Sequence, residues 1–549
     1  MKRFLSFAVI AGVTTAVFAA PGPAAAAASG DLDTTFGTNG VVVTPFDGFV
    51  SANALVQQST GKLVVAGGAS NAFRTPGDVM LVRYTAAGSI DPTFGADGIV
   101  TTDLGGSDSA SAAVAQPDDK LVAVVATVGS DGASVVLVRY LPDGALDTEF
   151  GVGGVAAVPI GFEGLAVGLQ PDGNILVSGT PGPSGVDLVR FTTDGVLDAS
   201  FGDGGKVATP FGPPGDWSSS YGLAVQPDGR IVVKANTGTG VALVRYHANG
   251  TLDATFGTGG HVEIVGPFRA TSLGLQPDGK LVMGGQSCIG SACDVSLVRL
   301  TTSGALDSSF DGDGVVTTDL GASADANALA LQPNGKLVLG GGISAGFLDQ
   351  DFLLVRYRPN GALDTGFGTN GAVATDIGGF DIARALALQP DGRIVAAGTG
   401  GTDPRFPGRQ LALARYHDGS PTTPFATLRA AAWLADLPGS NDMVWVNAAF
   451  ALGPSSNGID PAAEVVELDV GSLSVVLPPG SMATGLLGWT YRGPAAGGTW
   501  TVTIRRLFGS YRVTAMGTRL DLGEHATMID IGVTIGDDAG TTAVRPLGF

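Results

Sequence analysis

Between residues 31 and 417 the apolar positions fall into short runs rich in Val, Leu and Ala, separated by clusters of Gly, Pro, Asn and Asp. Runs of this kind bounded by turn residues read as strands, and no stretch keeps the spacing of a helix face. The runs come in sets of four. In the clearest set they are Ala328–Gln332, Lys336–Gly340, Asp351–Tyr357 and Gly371–Thr375. Each is apolar at odd and even positions alike, as a strand covered on both faces requires.

Three signatures punctuate the sets. Leu-Asp-x-x-Phe has its Phe at 36, 94, 150, 201, 256, 310 and 367; Gln-Pro-Asp-Gly-Lys/Arg has its Gln at 58, 116, 170, 226, 276, 332 and 389; Leu-Val-Arg-Tyr has its Arg at 83, 139, 190, 245, 299, 356 and 415. Repetition on this scale, roughly every 55 residues, marks an array of supersecondary units. Pro-Asp-Gly between the first two runs supplies the preset φ and the left-handed Gly of a bulged hairpin. Four antiparallel strands in each of seven units predict an all-β chain with a seven-bladed β-propeller over 29–418. The coils of a β-helix, the rival architecture, are much shorter.

The array starts with the end of a unit, Leu32-Asp33-x-x-Phe36 and Gly40–Thr44, and stops at a third strand, Leu413-Ala-Arg415-Tyr416. Residues 40–45 are therefore expected to pair with 410–416, closing the ring and removing a strand edge. From Arg to the following Asp is eight residues in every continuous copy. A charge inside an apolar strand needs a partner. Seven pairs are expected: Arg83–Asp91, Arg139–Asp147, Arg190–Asp198, Arg245–Asp253, Arg299–Asp307, Arg356–Asp364 and, across the closure, Arg415–Asp33.

A residue required seven times is required by the blade, which makes the signatures frame. The Arg-to-Phe interval is eleven in all six continuous copies, whereas Phe-to-Gln runs from 20 to 25 and Gln-to-Arg from 19 to 26. The variable intervals hold the loops between blades and between second and third strands, which open on one end of a propeller. Binding usually resides on such loops. That end is expected to carry Phe162, Glu163, Trp217, Tyr221, Arg269, Asp381 and Arg384, with Phe268, Arg405 and Phe406 beside them. Aromatics next to Asp and Arg suit sugar or peptide recognition; packing of loops onto blade ends is the alternative use of the same residues.

Charge and chemistry narrow the function. With 50 acidic and 30 basic residues the net charge is −20, which argues against nucleic acid as a partner. Lys2 and Arg3 followed by the apolar stretch Phe4–Ala20 and the Ala-rich tract Ala24–Ala28 read as a secretory signal over 1–28. No later run is apolar enough to span a membrane. In an oxidising compartment Cys288 and Cys293 are expected to form one local disulfide. His247, His261, His417 and His525 are scattered, and no Gly-x-Ser-x-Gly elbow supports a triad. No cofactor motif is present; Asp311-Gly-Asp313-Gly starts like a calcium loop but lacks the later oxygens, so it reads as a turn, with calcium left open.

The three signatures resemble the delta-60 repeat family of secreted and surface bacterial proteins over about 31–417. The mild departures are Ser59-Thr60 in the first Gln turn, Asp119 for Gly in the second and Leu300 for Tyr in the fifth unit. The resemblance implies a propeller-like array and assigns no activity; the strand order also resembles that of NHL-type propellers, which mostly mediate interactions. Gly419–Pro424 breaks the pattern, giving a linker over 419–430. Seven strand-like runs beyond it, among them Trp500-Thr-Val-Thr-Ile-Arg, predict a small β-sandwich over 431–549. Thr534-Ile-Gly-Asp-Asp resembles the ending of other secreted bacterial repeat proteins. The expected function is a secreted, monomeric, non-catalytic binding scaffold for an extracellular protein or glycan. The alternative is an extracellular propeller enzyme, a hydrolase or lyase on a glycan or lactone, with its site at the channel mouth.

Overall fold

The structure, a computed structural model, describes residues 28–418 apart from 47, 71–76, 129–133, 160–162, 181–185, 211–218, 291, 347–348 and 401–409. Beyond 418 it describes the strands of 423–548 and a few residues between them. The signal-like segment lies outside the described residues. Within them every regular element is a strand, and no helix is long and apolar enough to cross a membrane.

Seven four-stranded antiparallel sheets occupy 41–416. Blade one runs Phe49–Gln57, Leu63–Ser70, Asp78–Tyr84 and Ile99–Thr102 from inner to outer strand, and five more follow in the same order. Blade seven takes Ile382–Leu388, Ile394–Gly400 and Gln410–Tyr416, then receives Val41–Pro45 as its outer strand. Val41 stands opposite Ala414 and Pro45 opposite Gln410. Just outside this ladder the Asp33 amide donates to the Arg415 carbonyl at 2.8 Å, and the Gly30 amide to that of His417 at 2.7 Å.

Inner strands pack on their neighbours around the whole circle, including Phe49–Gln57 on Ile382–Leu388. Each of the seven seams holds its own buried apolar cluster. The third strand of blade one shows why both faces are apolar. Val79 and Leu81 enter the seam with blade two, while Met80 and Val82 enter the seam with blade seven. Burying both faces of short strands is the main stabilising contribution, at about 25 cal/mol per Å² of apolar surface.

The Gln turns place Gly at φ near 80°, for example Gly229 at 82°. Asp119 takes the same left-handed conformation in blade two at 62°, which costs a side chain strain. Its carboxylate offsets this by accepting the Ser59 amide of blade one at 2.7 Å. Asp311 and Asp313 lie exposed in the turn before an outer strand, where Asp313 accepts the Val315 amide at 2.9 Å.

Beyond the ring, strands form a five-stranded and a seven-stranded sheet in contact with each other. Trp500, Val502 and Ile504 are buried while Arg505 is exposed, the alternation of a half-buried strand. The linker expected over 419–430 is cut short, because Thr427–Ala435 is a strand paired with Asp442–Ala451. Its Arg-Ala-Ala-Ala stretch has little strand propensity of its own, and cross-strand pairing overrides it.

Candidate functional site

The signature residues come together at the end of the ring opposite the variable loops. Arg83–Asp91, Arg245–Asp253 and Arg299–Asp307 each meet at 2.8 Å, and Arg139–Asp147, Arg190–Asp198 and Arg356–Asp364 at 2.7 Å. Arg415 reaches Asp33 from the other end of the chain at 2.8 Å. Every one of these guanidinium groups also lies over the Phe of its own blade, 4.4 to 4.7 Å from the ring centre. That position is favourable for a cation. Each Arg then donates to a turn carbonyl of the next blade: Arg139 to Thr193 at 2.5 Å, Arg190 to Ala248 at 2.8 Å, Arg245 to Thr302 at 2.7 Å, Arg415 to Ala86 at 2.6 Å. Arg83, Arg299 and Arg356 do the same with Pro142, Pro359 and Asp418.

The cation of the Gln turn joins in, with Lys62–Asp91 at 2.9 Å, Lys280–Asp307 at 3.1 Å and Arg393–Asp33 at 2.7 Å. Burial pushes the Asp253 carboxyl up, but the hydroxyl and amide of Thr255 and the Arg245 charge outweigh it and hold the group at about 2. These charges are occupied. They are the frame.

The Tyr of the signature reaches the other way. Its hydroxyl meets a Thr on the outer strand of the preceding blade: Tyr84–Thr44 at 2.7 Å, Tyr140–Thr102 at 2.9 Å, Tyr246–Thr209 at 2.6 Å, Tyr357–Thr318 and Tyr416–Thr375 at 2.8 Å. Burial pushes the phenols of Tyr84 and Tyr140 up to about 12, so they stay neutral donors. Two blades carry Phe191 and Leu300 instead, and the matching outer-strand positions are Val158 and Ile264. These apolar pairs pack in their seams. Hydroxyl and partner are present together or absent together, as the cost of an unpaired buried hydroxyl demands.

The axis of the ring is different. Each inner strand is bulged once, leaving one residue out of register with the second strand: Asn53, Ser111, Leu165, Tyr221, Thr271, Asn327 and Arg384. A bulge bends a strand and re-aims a side chain, and bulges collect next to functional sites. Every bulged residue lies five positions before its Gln and between two small ones, as in Ala52-Asn53-Ala54, Ser220-Tyr221-Gly222 and Ala383-Arg384-Ala385. Small flanks suit the crowded approach of seven strands to one axis. This spacing is legible in the sequence, but the central residue differs in almost every copy and so leaves no repeated motif.

Some bulge residues serve the frame. Asn53 donates to the Ala110 carbonyl of the next blade at 2.8 Å, Thr271 to Ala326 at 2.6 Å and Asn327 to Ala383 at 3.1 Å. In the seam after blade four the equivalent carbonyl, Ala270, is held by Asn236 at 2.8 Å and Lys234 at 2.6 Å. Lys234 is fully buried, and burial pulls its ammonium down to about 7. The same position in the other blades is Ala, Val, Ser or Gly.

The residues expected at the variable end are thus divided. Tyr221 and Arg384 belong to the bulge ring, and Arg384 is exposed, as is Arg269 two positions before Thr271. Phe268 is buried in the seam between blades four and five. Asp381 is buried, with its carboxylate accepting the amides of Ile377 at 2.7 Å and Gly378 at 2.9 Å. Glu163 opens the inner strand of blade three, and the side chains of Glu163 and Tyr221 lie outside the described residues, as do Phe162, Trp217, Arg405 and Phe406. Cys288 and Cys293 are disulfide-bonded across the tip of a hairpin in blade five.

Asp351, Asp376 and Asp381 bring one carboxylate oxygen each within 4.8 Å of one another at the blade six–seven junction. Burial, with Asp376 and Asp349 adding, pushes the Asp351 carboxyl up. Three carboxylates make half of the oxygen shell calcium prefers, and the Asp381 oxygen that takes the two amides is already spent on them.

Six segments match a family model described as a β-propeller domain of unknown function, DUF5122: 58–94, 116–150, 170–201, 226–256, 276–310 and 332–367. Each runs from the Gln of one signature to the Phe of another, and the copy split across the closure cannot form such a continuous segment. No curated protein matches the chain. Among solved structures, an ulvan lyase of polysaccharide lyase family PL25 bound to -[GlcA(1-4)Rha3S]- aligns at 11% identity and a TM-score of 0.41, covering 69% of this chain and 96% of its own. Prolyl oligopeptidase B from Galerina marginata aligns at 12% and 0.39 over 76% and 57%. Trypanosoma rangeli sialidase aligns at 11% and 0.30 over 88% and 94%. Likeness at this level says nothing about the activity of the present chain.

Proposed function

We propose that the protein is a secreted binding scaffold that takes its ligand at the variable-loop end of the ring, around the axis. The observation that carries this reading is the bulge ring: seven equivalent, re-aimed positions filled by six kinds of residue, on a frame whose Arg, Asp and Phe recur in all seven blades. A frame position repeats because the blade needs it. A position that is held in geometry and varied in chemistry is shaped by something outside the blade. Secretion is supported by the signal-like start and by the disulfide, and the delta-60 family is the repeat class that the signatures fit. Titrating the full chain against a panel of soluble polysaccharides and peptides should find a ligand whose affinity falls at least tenfold in Arg384→Gln or Tyr221→Ala. Ligand binding that ignores both substitutions would sink the reading.

A second reading, an extracellular hydrolase or lyase on a glycan, has one observation in its favour. The Asp351 carboxyl is pushed up beside two other acids, as a proton donor would need. Glycan cleavage by the wild type and its loss in Asp351→Asn would favour the enzyme; binding without turnover would count against it.

A further inference from the structure

We infer that the ligand of this ring is an acidic polysaccharide, its anionic groups taken by Arg269 and Arg384; this rests on the binding reading above. The argument begins with charge. In a chain of net charge −20, the cations of the repeat signatures are consumed by the Asp residues of the frame. Arg269 and Arg384 are not signature residues. Both are exposed on inner strands, and neither side chain makes a hydrogen bond or ion pair among the described residues. The carboxylates of Asp351 and Asp376 gather with that of Asp381, which directly precedes the axial strand carrying Arg384, yet among the described residues none of the three is joined to Arg384 by an ion pair. A bare guanidinium next to the axis is a fork for a carboxylate or sulfate and has no evident use in the fold.

Arg384 also breaks the pattern of its own position. Asn53, Thr271 and Asn327 use that position to hold the next blade, and Arg384 does not. Blade four departs in a related way. There the neighbouring carbonyl of Ala270 is held by Asn236 and the buried Lys234, a costly substitute for the small polar residue that does the work elsewhere. The bulge position so relieved is occupied by Tyr221. Tyr221 at the bulge of blade four, the two unpaired guanidinium groups and partly exposed Asn53, Ser111 and Asn327 all belong to the inner strands that surround the axis. Sugar faces stack on aromatics, hydroxyls bond to amides and hydroxyls, and the anionic groups answer to Arg. An apolar ligand would find little here.

The test uses the full chain and three polymers: polygalacturonate, neutral dextran and poly-glutamate. Calorimetric titration should show binding to polygalacturonate that weakens with added salt, with Arg269→Gln and Arg384→Gln each losing roughly tenfold and the double variant more. Circular dichroism and unchanged thermal transitions would show that the variants remain folded. Poly-glutamate bound as tightly as polygalacturonate, or neither polymer bound, overturns the inference. Dextran binding that survives both Arg substitutions and is lost in Tyr221→Ala overturns the acidic class while the ring remains the site. Polygalacturonate binding untouched by all three substitutions overturns the inference and the binding reading together.

Discussion

The two ends of the ring obey opposite rules. At the turn end, seven equivalent positions carry one Arg, one Asp and one Phe, each locked to the others and to the next blade. At the axis, seven equivalent bulges carry Asn, Ser, Leu, Tyr, Thr, Asn and Arg. The same backbone operation is repeated at both ends, so the backbone cannot be the source of the difference. Sameness marks what holds the blades together. Variation within fixed geometry marks what the blades present.

The sharpest way to break the comparison is to treat a frame residue as if it were a surface one. Arg245→Ala removes the nearer of the two cations on the buried Asp253, leaving Arg230 at 3.2 Å, together with the contact with Phe256 and the bond to Thr302, and should cost about 3 kcal/mol in chemical denaturation. A loss below about 1 kcal/mol would mean that the pair is ornament. Lys234→Met tests the opposite sign. A cation with a folded-state pKa below its unfolded value of about 10.4 weakens the fold when charged: full stability is present above that value and is lost as pH falls through about 7. Replacing it should therefore raise the melting temperature by several degrees at pH 6 and by much less at pH 10. An equal effect at both values would show that Lys234 is not held neutral.

The seam hydroxyls allow a smaller and cleaner measurement. Phe191→Tyr sets a phenol against Val158 and should cost about 1–3 kcal/mol, most of it recovered when Val158→Thr is added. A double variant no better than the single one would refute the pairing rule. At the far end of the scale, Arg384→Gln should change stability by less than about 0.5 kcal/mol, because the side chain is exposed and touches no partner among the described residues. A large destabilisation there would move Arg384 into the frame and dissolve the contrast.

Most of the frame could be read from the chain. The constant eight residues from Arg to Asp, and the orphaned Arg415 and Asp33 at the two ends, point to one pairing and to one way of closing the ring. What the intervals could not reveal was direction. Arg reaching forward to the next blade and Tyr reaching back to the previous one follow from strand twist and seam packing, which leave no mark on spacing. The Tyr–Thr rule did leave a mark, since Phe191 and Leu300 pair with Val158 and Ile264, but outer-strand register is needed to see it. The axial ring was hidden for the opposite reason. Its signal is the small residues that flank each bulge, while the central residues differ from copy to copy. Asp381 looked like a surface group because it sits in a Gly-rich loop; the turn it caps draws it inward.

The closing strand has a consequence for how such a chain can change length. The repeated unit of sequence, ending at Leu-Val-Arg-Tyr, is out of phase with the unit of structure, which ends one strand later. Duplication or loss of a whole sequence unit anywhere between residues 46 and 409 would add or remove one complete blade and leave the strand at 41–45 still waiting for the last third strand. A permuted chain that begins instead at Gly371 would move the join to the neighbouring blade, with the former ends spliced through 418 and 29. The ring has a seam in its chain and none in its sheets, so the position of the cut is a choice among seven equivalent places.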